Sequence, residues 1–507
     1  MNNFLQRHAD KIAGTISSYD RVIIAGTIPG ICYNAGMAAH LRHLGIRLFD
    51  YTQWANPLRQ RVWDNAERLS RDNNIPLSDA RKRNTRKEDV VAKILEKRGH
   101  HPGLVAILWT MESCLSFKPW YDKQTRATAL HYERAQCKHY YFYFIDETLG
   151  LCHLRVPTWA PFPLQFYFNG HNWLASSMRK AGVEFQTLDN AFVSIADFPK
   201  AQRLADALNP KTLHRILDKA ARRYCPVVAD FPQGVHWSLR QAEYATDIIF
   251  KDPAGLAPVY EELTRTAIHS VKPENIATFL GRKLTGACRD EIGNNFNTRI
   301  EGTCIKHHMG KVAIKSYDKF HQVLRIETTC NDVSFFKHYR EVVHRDGTRE
   351  KTHAPMRKHI YSFGPLREAL AAANARYLDF LAAVDDPSAS LKDLDRLTRT
   401  VRDNGRGFAG FDLFQGDDAD VLRATLNGGF LISGFRHRDL RQRLTGKTPA
   451  QLGHVLRRLR KHGLIKKIGR TFKYYVTAWG QRAGLMALKL KEMFLIPALR
   501  GIVLKTT

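Results

Sequence analysis

The amino-acid sequence predicts an α+β protein, with a multi-domain body of mixed β-sheets and helices and a smaller carboxy-terminal domain. The chain has 507 residues, of which 44% are hydrophobic and 25% are charged. This composition is close to the globular average, so the chain can bury sizeable cores. Apolar runs typical of strands and spacings typical of helices both occur throughout residues 1–384. At roughly 100–200 residues per domain, the length favours three or four domains.

Residues 1–100 are predicted to form an α/β domain with a basic segment. Arg21–Ala25 (RVIIA) is a buried-strand candidate, Ile46–Phe49 is a second strand, and a polar helix covers 57–72. The segment 81–98 holds eight Lys or Arg residues. Such a run is either a solvated helix face or a surface that follows phosphates.

Residues 101–199 are predicted to form an aromatic, strand-rich domain. Strand candidates are Leu104–Trp109, a hairpin over 139–156 and Leu164–Phe168, and a helix opens at Trp173. The density of aromatic residues fits either cross-strand core pairs or stacking platforms for bases.

Residues 200–384 are predicted to hold a helical segment, a β-rich segment at 296–330 and a long helix over 365–384. The expected helices are 201–208, 212–223, 238–249, 258–269 and 273–280. Residues 385–409 are rich in Asp, Ser, Pro and Gly, which predicts a linker before a final domain over 410–507.

Charge is the strongest compositional signal. There are 78 Lys or Arg residues against 49 Asp or Glu, a net charge of +29. A surface this basic favours a polyanionic partner, because phosphate neutralisation releases counterions. No apolar run reaches the length of a membrane span, and the eight scattered cysteines form no C-x-x-C pair. We therefore expect a cytoplasmic protein that binds nucleic acid and no membrane.

The domain at 410–507 has the most specific pattern. Helices are predicted at 418–426, 435–444 and 449–462; Thr448 caps the third, and Leu452, Val455, Leu456 and Leu459 share one face. A basic hairpin follows. Helix, helix, helix and hairpin is the order of a winged helix-turn-helix, and HVLRRLRKHGLIKKIGRTFKYYVT resembles the recognition helix and wing of MarR-like DNA-binding domains.

This resemblance implies binding of duplex DNA. Between residues 430 and 507 there are 18 Lys or Arg against two acids, more than half of the net charge of the chain. The predicted DNA-binding residues are Gln451, His454, Arg457, Arg458, Lys461, Lys466, Lys467, Arg470 and Lys473. Arg457 and Arg458 are expected at base edges, and the hairpin cations at phosphates. The alternative is a domain for protein contacts, with an extra helix near 481–499 that could join two copies in a homodimer.

An upstream pattern invites a catalytic hypothesis. Lys315-Ser316-Tyr317-Asp318-Lys319 precedes Leu324-Arg325-Ile326-Glu327 on what should be paired strands. This resembles a short pattern of plasmid and phage rolling-circle replication initiators. The resemblance implies that Tyr317 is either a strand-cutting nucleophile or a tyrosine beside the core. It also implies His307 and His308 as metal ligands, with Glu327 as a carboxylate ligand. The predicted catalytic residues are Tyr317, Glu327 and Asp146, and the predicted metal residues are His307 and Asp318, for Mg²⁺ or Mn²⁺.

Acids near strand ends give a second catalytic hypothesis. Asp20, Glu112 and Asp146 each adjoin a predicted strand, and two-metal nucleases need several such carboxylates. Each is equally an ordinary turn residue. Stretches such as RVPTWAPFPLQFYFNGHNWLA and RIEGTCIKHH also resemble an uncharacterised bacterial protein family, which suggests a mobile-element or replication role. Three functions therefore stay open: a duplex-DNA binder, a metal-dependent DNA-cleaving or strand-transferring enzyme, and a structured-RNA binder.

Overall fold

Strand pairing organises the first part of the chain. The computed structural model describes residues 1–82, 86–124, 126–284, 291–299, 302–384, 395–412, 415–427, 430, 434–469, 471–491 and 496. The chain divides into two compact units, residues 1–385 and 386–507. The strands of the first unit are β1 (Ile12–Thr27), β2 (Leu77–Asp79), β3 (Gly103–Asp122), β4 (Ala127–Asp146), β5 (Gly150–Pro157), β6 (Leu164–Asn169), β7 (Phe185–Leu188), β8 (Ala191–Ile195), β9 (His236–Phe250), β10 (Ile292–Arg299), β11 (Gly302–Met309), β12 (Val312–Lys319), β13 (Val323–Cys330), β14 (Lys337–Val343) and β15 (Arg349–Pro355).

One mixed sheet joins eleven of these strands within the described residues, in the order β10-β11-β12-β13-β9-β1-β6-β5-β4-β3-β2. Neighbours pair antiparallel except β2 and β3, which are parallel. The strands β7 and β8 form a separate hairpin, as do β14 and β15. The regions 1–100, 101–199 and 200–384, which the sequence pattern separates, all contribute strands to the one sheet.

Helices cover both faces of this sheet. They are α1 (Asn2–Arg7), α2 (Asn34–His43), α3 (Tyr51–Asn73), α4 (Lys87–Arg98), α5 (Gly170–Lys180), α6 (Phe198–Asp206), α7 (Pro210–Tyr224), α8 (Pro253–Ser270), α9 (Pro273–Phe279) and α10 (Phe363–Val384). The carboxylates of Asp197 and Asp252 cap α6 and α8, each with a proline in the first turn of its helix. In the described part of the chain, no helix combines the length and the apolar character that crossing a bilayer requires.

The two faces of the sheet differ in polarity around β9 and β13. On one face, α10 packs through Leu366, Leu370 and Leu381, which are buried as the sequence spacing predicts. The opposite face carries charged residues and contacts α5, α6 and the β7–β8 hairpin. Period-2 alternation along the strands produces this division, since successive side chains point to opposite faces.

Two predicted elements are wrong. Residues 238–249, expected as a helix, lie within strand β9, which pairs with β1 on one side and β13 on the other. The residues of this segment favour a helix, but the strand forms because its backbone makes hydrogen bonds to a neighbouring strand on both edges. Ile46–Phe49, expected as a strand, leads instead into a 3₁₀ turn at Leu48–Asp50. A four-residue apolar run does not distinguish these structures.

The second unit contains α11 (Gly416–Thr425), α12 (His437–Arg443), α13 (Pro449–Lys461) and α14 (Ala478–Lys489), with β16 (Val401–Asp403), β17 (Arg406–Phe408), β18 (Phe435–Arg436), β19 (Ile465–Lys467) and β20 (Lys473–Val476). The strands β18, β20 and β19 form a small sheet in that order. The described part of the predicted linker is folded. There β16 and β17 form a hairpin, and Leu397 is buried in the core of this unit. The turn of this hairpin is at Asn404-Gly405, within the stretch whose Asp and Gly residues led to the prediction of a linker.

Helix α13 forms where the sequence predicts it. The hydroxyl of Thr448 accepts a hydrogen bond from the Gln451 amide at 3.3 Å, and the Gln451 side chain accepts one from the Thr448 amide at 2.8 Å. This reciprocal cap fixes the start of the helix. Leu452, Leu456 and Leu459 are buried on its inner face.

A tight approach of α5 to β1 gives a test of the fold. A Cβ atom at Gly170 would overlap the carbonyl oxygen of Tyr19, whereas a Cβ at Gly364 in α10 would meet no atom. We expect Gly170→Ala to lower the free energy of unfolding by about 1–3 kcal/mol, as overpacking does. Gly364→Ala is the matched control and should not destabilise. Urea unfolding of both variants measures this, and equal stability for the two would contradict the packing described.

Candidate functional site

A row of paired residues crosses the polar face of the sheet. Arg325 in β13 lies opposite Asp247 in β9 on one side and Tyr317 in β12 on the other. Two residues along, Glu327 lies opposite Lys315. These side chains share one face because the apolar residues between them, such as Ile326, point toward α10.

Arg325 is the centre of a buried ion cluster. Its side chain is 0% exposed and donates to both carboxylate oxygens of Asp247, at 2.6 and 2.7 Å. A third bond runs from Nη1 to Asp20 in β1, at 3.1 Å. Burial by itself raises the pKa of Asp247, but Arg325 and His171 outweigh it and lower that pKa to about 2. For Asp20, burial is likewise outweighed, chiefly by His171 and Arg325, and its pKa also falls below the usual range.

His171 closes this cluster from the first turn of α5. The Asn169 side chain accepts a hydrogen bond from the His171 amide at 2.7 Å, which positions the turn. The imidazole Nδ1 lies 3.5 Å from Asp20 and Nε2 lies 3.7 Å from Asp247. Burial lowers the pKa of His171, but these carboxylates prevail and the pKa is raised from its usual value.

Three carboxylates meet beside the ion cluster. Oxygen atoms of Asp20, Glu243 and Glu327 lie within 4.8 Å of one another. Glu327 is buried and accepts hydrogen bonds from Lys315 Nζ at 2.7 Å and from the Tyr317 hydroxyl at 2.8 Å. Lys315 Nζ also lies 3.7 Å from Glu243. We call Asp20, Glu243, Glu327, Lys315 and Tyr317 the acidic cluster.

The protonation of the acidic cluster reflects crowded negative charge. Burial and then Glu327 raise the pKa of Glu243. Burial lowers the pKa of Lys315, but Glu327 and Glu243 raise it above its usual value overall. Burial and the Glu327 carboxylate raise the pKa of Tyr317 well above its usual value.

This donor set fits a divalent cation. Three carboxylates offer the hard oxygen ligands that Mg²⁺ and Mn²⁺ take in proteins. Burial and then Glu327 raise the pKa of Glu243, and a cation held among the carboxylates would relieve the repulsion from Glu327. Asp20, Glu243 and Glu327 would hold such an ion, next to the ammonium group of Lys315.

The structure brings together some of the predicted catalytic residues and separates others. Tyr317, Glu327 and Asp20 meet in the acidic cluster. Asp146 instead accepts hydrogen bonds from the Thr148 and Leu149 amides, as an ordinary turn residue. It lines a cavity of about 370 Å³ that also adjoins His171.

Glu112 has a separate environment. It pairs with Arg155 at 2.7 Å and with Lys87 at 3.5 Å, and it accepts a hydrogen bond from Tyr141 at 2.7 Å. The three strand-end acids of the second hypothesis therefore do not converge.

The proposed metal ligands His307 and Asp318 do not join the acidic cluster. His307 points to the α10 face, where its ring nitrogens lie 2.6 Å from Asn294 Oδ1 and 3.2 Å from the Tyr377 hydroxyl. Burial lowers the pKa of His307 to about 4. Asp318 lies 3.0 Å from His321 Nδ1. Both side chains lie on the face of the sheet opposite the acidic cluster. Successive side chains of a strand point to opposite faces, so Asp318 cannot share a face with its neighbour Tyr317.

Five members of the two clusters were missed by sequence reasoning as site residues: Arg325, Asp247, Glu243, His171 and Lys315. Asp247 and Glu243 lie in the segment that was expected to be a helix, where they would not face β13. The signal that could have found them is the two-residue spacing of Glu243, Ala245 and Asp247. Lys315 lies within the quoted motif, and only the pairing of β12 with β13 shows its partner.

The second unit presents a basic surface on α13 and the β19–β20 hairpin. His454 and Arg457 are exposed on the side of α13 opposite its leucines, and Lys466 is exposed on the hairpin, while Lys467 and Lys473 are half-buried. Gln451 is exposed, although its side chain caps the helix. Lys461 pairs with Asp403. Arg470 lies outside the described residues.

Arg458 is placed differently from its prediction. Its guanidinium donates to both oxygens of Asp418, at 2.6 and 2.7 Å, and to the carbonyls of Ala409 and Gly410. It also stacks over the Phe411 ring. Arg458 therefore fastens α13 to α11 and cannot read bases from this position. Adjacent arginines on a helix point about 100° apart, which separates it from Arg457.

No family model, curated protein or solved structure matches this chain. The functional proposal therefore rests on the geometry and charge of its own residues.

The buried ion cluster predicts a dependence of stability on acid. Because the pKa of Asp247 is lowered on folding, its ionised form stabilises the chain above about pH 4, and this contribution is lost as the pH falls toward 2. At about 1.4 kcal/mol per pKa unit, the loss is about 2 kcal/mol. Urea unfolding from about pH 5 to pH 2 should show a flatter profile for Asp247→Asn, which is also less stable by about 3–5 kcal/mol because it removes the bidentate partner of the buried Arg325 and leaves Asp20 as its carboxylate partner.

The exposed Asp72, paired with Arg68 on the surface of α3, gives the control. Asp72→Asn should reproduce the wild-type profile. If Asp247→Asn kept the full acid dependence, the ion cluster would not be its source.

Proposed function

We propose that the chain is a DNA-binding protein and that its second unit is a winged helix-turn-helix that binds duplex DNA. The observation that carries the proposal is the basic outer side of α13, which runs on into the basic hairpin β19–β20. In such a domain, α12 and α13 are the helix pair, α13 is the recognition helix and the hairpin is the wing.

The placement of charge supports this assignment. The leucine face of α13 is buried, so its opposite side is the one that can enter a major groove. His454 stacks on the Phe408 ring and Arg457 donates to the Gly453 carbonyl of its own helix, whereas Arg458 is paired with the Asp418 carboxylate. A bidentate arginine is the commonest contact to guanine, which makes Arg457 the best candidate for base recognition. Lys466, Lys467 and Lys473 on the hairpin suit phosphate contacts.

The experiment is a titration of the full chain with duplex DNA at several salt concentrations. We expect affinity to fall steeply with salt, and Lys466→Ala to lower the salt slope by about one unit. Arg457→Ala should cost about 1–3 kcal/mol on a preferred duplex and much less on a scrambled one. Arg68→Ala, which removes an exposed arginine of the first unit, is the control and should change neither. Salt-insensitive binding, or a preference for structured RNA over duplex DNA, would refute this assignment.

A second activity is favoured by one observation in the first unit. The Tyr317 hydroxyl donates to Glu327 inside the three-carboxylate cluster, a pairing of nucleophile and base. We propose that this cluster cuts DNA strands, consistent with the similarity to rolling-circle initiators, and that the chain serves a mobile element or a replication process.

The chemistry assigned to these residues is transesterification. The Tyr317 oxygen attacks the phosphorus of a phosphodiester, and a phosphotyrosine bond forms as the P–O bond to one deoxyribose oxygen breaks. That oxygen takes up a proton from solvent and leaves as a hydroxyl group. Because the pKa of Tyr317 is raised, its proton must leave during the attack, and Glu327 Oε2 is placed to accept it. Lys315 is placed to balance the growing negative charge. A divalent cation bound by the carboxylates would supply further stabilisation of the phosphate oxygens.

Tyr317→Phe removes only the hydroxyl and should abolish cleavage and any covalent protein–DNA adduct, while duplex binding persists. Tyr377→Phe is a matched control, since it removes another buried hydroxyl that lies on the opposite face of the sheet. The measurement is nicking of supercoiled DNA with Mg²⁺ or Mn²⁺, followed by denaturing electrophoresis of the adduct. An adduct that survives in Tyr317→Phe would exclude this tyrosine, and the absence of cleavage in the wild type would exclude the activity.

A further inference from the structure

The hairpin of the second unit displays a large apolar side chain near its turn. Phe472 is 78% exposed, the highest value among the large apolar side chains of the described residues. Ile468, on the opposite side of the turn, is also exposed. A single exposed apolar side chain is ordinary on a protein surface, so what distinguishes Phe472 is its position at the end of a basic hairpin.

The turn that carries Phe472 is held by its own hydrogen bonds. The Thr471 hydroxyl donates to the Ile468 carbonyl at 2.6 Å and accepts from the Lys473 amide at 3.2 Å. The Ile468 amide donates to the Lys473 carbonyl at 3.1 Å. The backbone on both sides of Phe472, at Thr471 and Lys473, is therefore held by hydrogen bonds.

Cations flank this apolar tip. Lys467 Nζ lies 5.5 Å from the centre of the Phe472 ring, and Lys473 follows directly in the chain. A purely apolar partner would offer no negative charge to pair with these two ammonium groups. The minor groove of a duplex has phosphates along its edges, which suit the ammonium groups, and apolar base faces between them, which suit Phe472.

We propose that Phe472, with Ile468 beside it, is a wedge that enters the minor groove and unstacks one base step, so that the preferred ligand is duplex DNA with an easily kinked step. This inference rests on the proposed duplex binding by the second unit. Pyrimidine–purine steps such as TA unstack at low cost, whereas A-tracts are stiff. The wedge therefore selects sequence through deformability, at positions that α13 does not touch.

The test uses the full chain and two duplexes of equal base composition, one with TA steps and one with an uninterrupted A-tract. Both are much shorter than the DNA persistence length of about 150 base pairs and carry fluorophores at their ends. We expect the wild type to bind the TA duplex about tenfold more tightly and to bring its ends closer. Phe472→Ala should lose the preference and the bending, with an unchanged salt slope.

Two control variants separate the wedge from other effects. Met486→Ala removes a second apolar side chain, 71% exposed on α14, and should behave as the wild type. Lys467→Ala should lower the salt slope by about one unit and keep the bending. Bending and preference that persist in Phe472→Ala, or that are absent from a wild type that still binds duplex with salt sensitivity, would overturn the wedge alone. Loss of all salt-sensitive duplex binding in the wild type would overturn the proposed function itself.

Discussion

The guanidinium of Arg325 is the constraint on which the first unit depends. It is removed from water and joined to Asp247, Asp20 and the Asn190 carbonyl, so it ties β13 to β9, to β1 and to the segment between β7 and β8. An unpaired buried charge is far costlier than a surface one. The strand registers are therefore fixed by charge as well as by hydrophobic pattern. A slip of β13 by one residue would turn Arg325 toward the apolar α10 face.

The same constraint shapes the acidic cluster. Asp20 belongs to both groups, because it accepts from Arg325 and lies among the carboxylates of Glu243 and Glu327. Arg325 thereby fixes the position of Asp20 in the cluster, while Lys315 partly neutralises the charges of Glu243 and Glu327. The arrangement leaves more acids than bases near Tyr317, which is the electrostatic condition that favours binding of a cation. The proposed strand cutting thus depends on an arginine that positions Asp20 and lies opposite Tyr317 across the strand pair.

Local patterns in the sequence predict much of this protein, and long-range pairing accounts for what they miss. Helix α13 is predicted because its cap, its leucine spacing and its following glycine are all local. The motif around Tyr317 and Glu327 is found for the same reason. Strand β9 is missed because its residues favour a helix and only its neighbours β1 and β13 make it a strand. The role of Arg458 is missed because its partner Asp418 lies forty residues away along the chain.

Arg457 and Arg458 are adjacent and chemically identical, but Arg458 is paired with Asp418 whereas Arg457 is exposed. Because Arg458 anchors α13 to α11 and to the backbone at Gly410, the helix is already ordered before any partner arrives. In the proposed complex with DNA, a helix that is ordered in advance would lose little conformational entropy on docking, so more of its contact energy would become affinity. The same arrangement makes α13 sensitive to an insertion or a deletion within the helix. One residue inserted between the cap and these arginines would turn both by about 100°, so that Arg458 would face the leucine core and Arg457 would take its place beside α11.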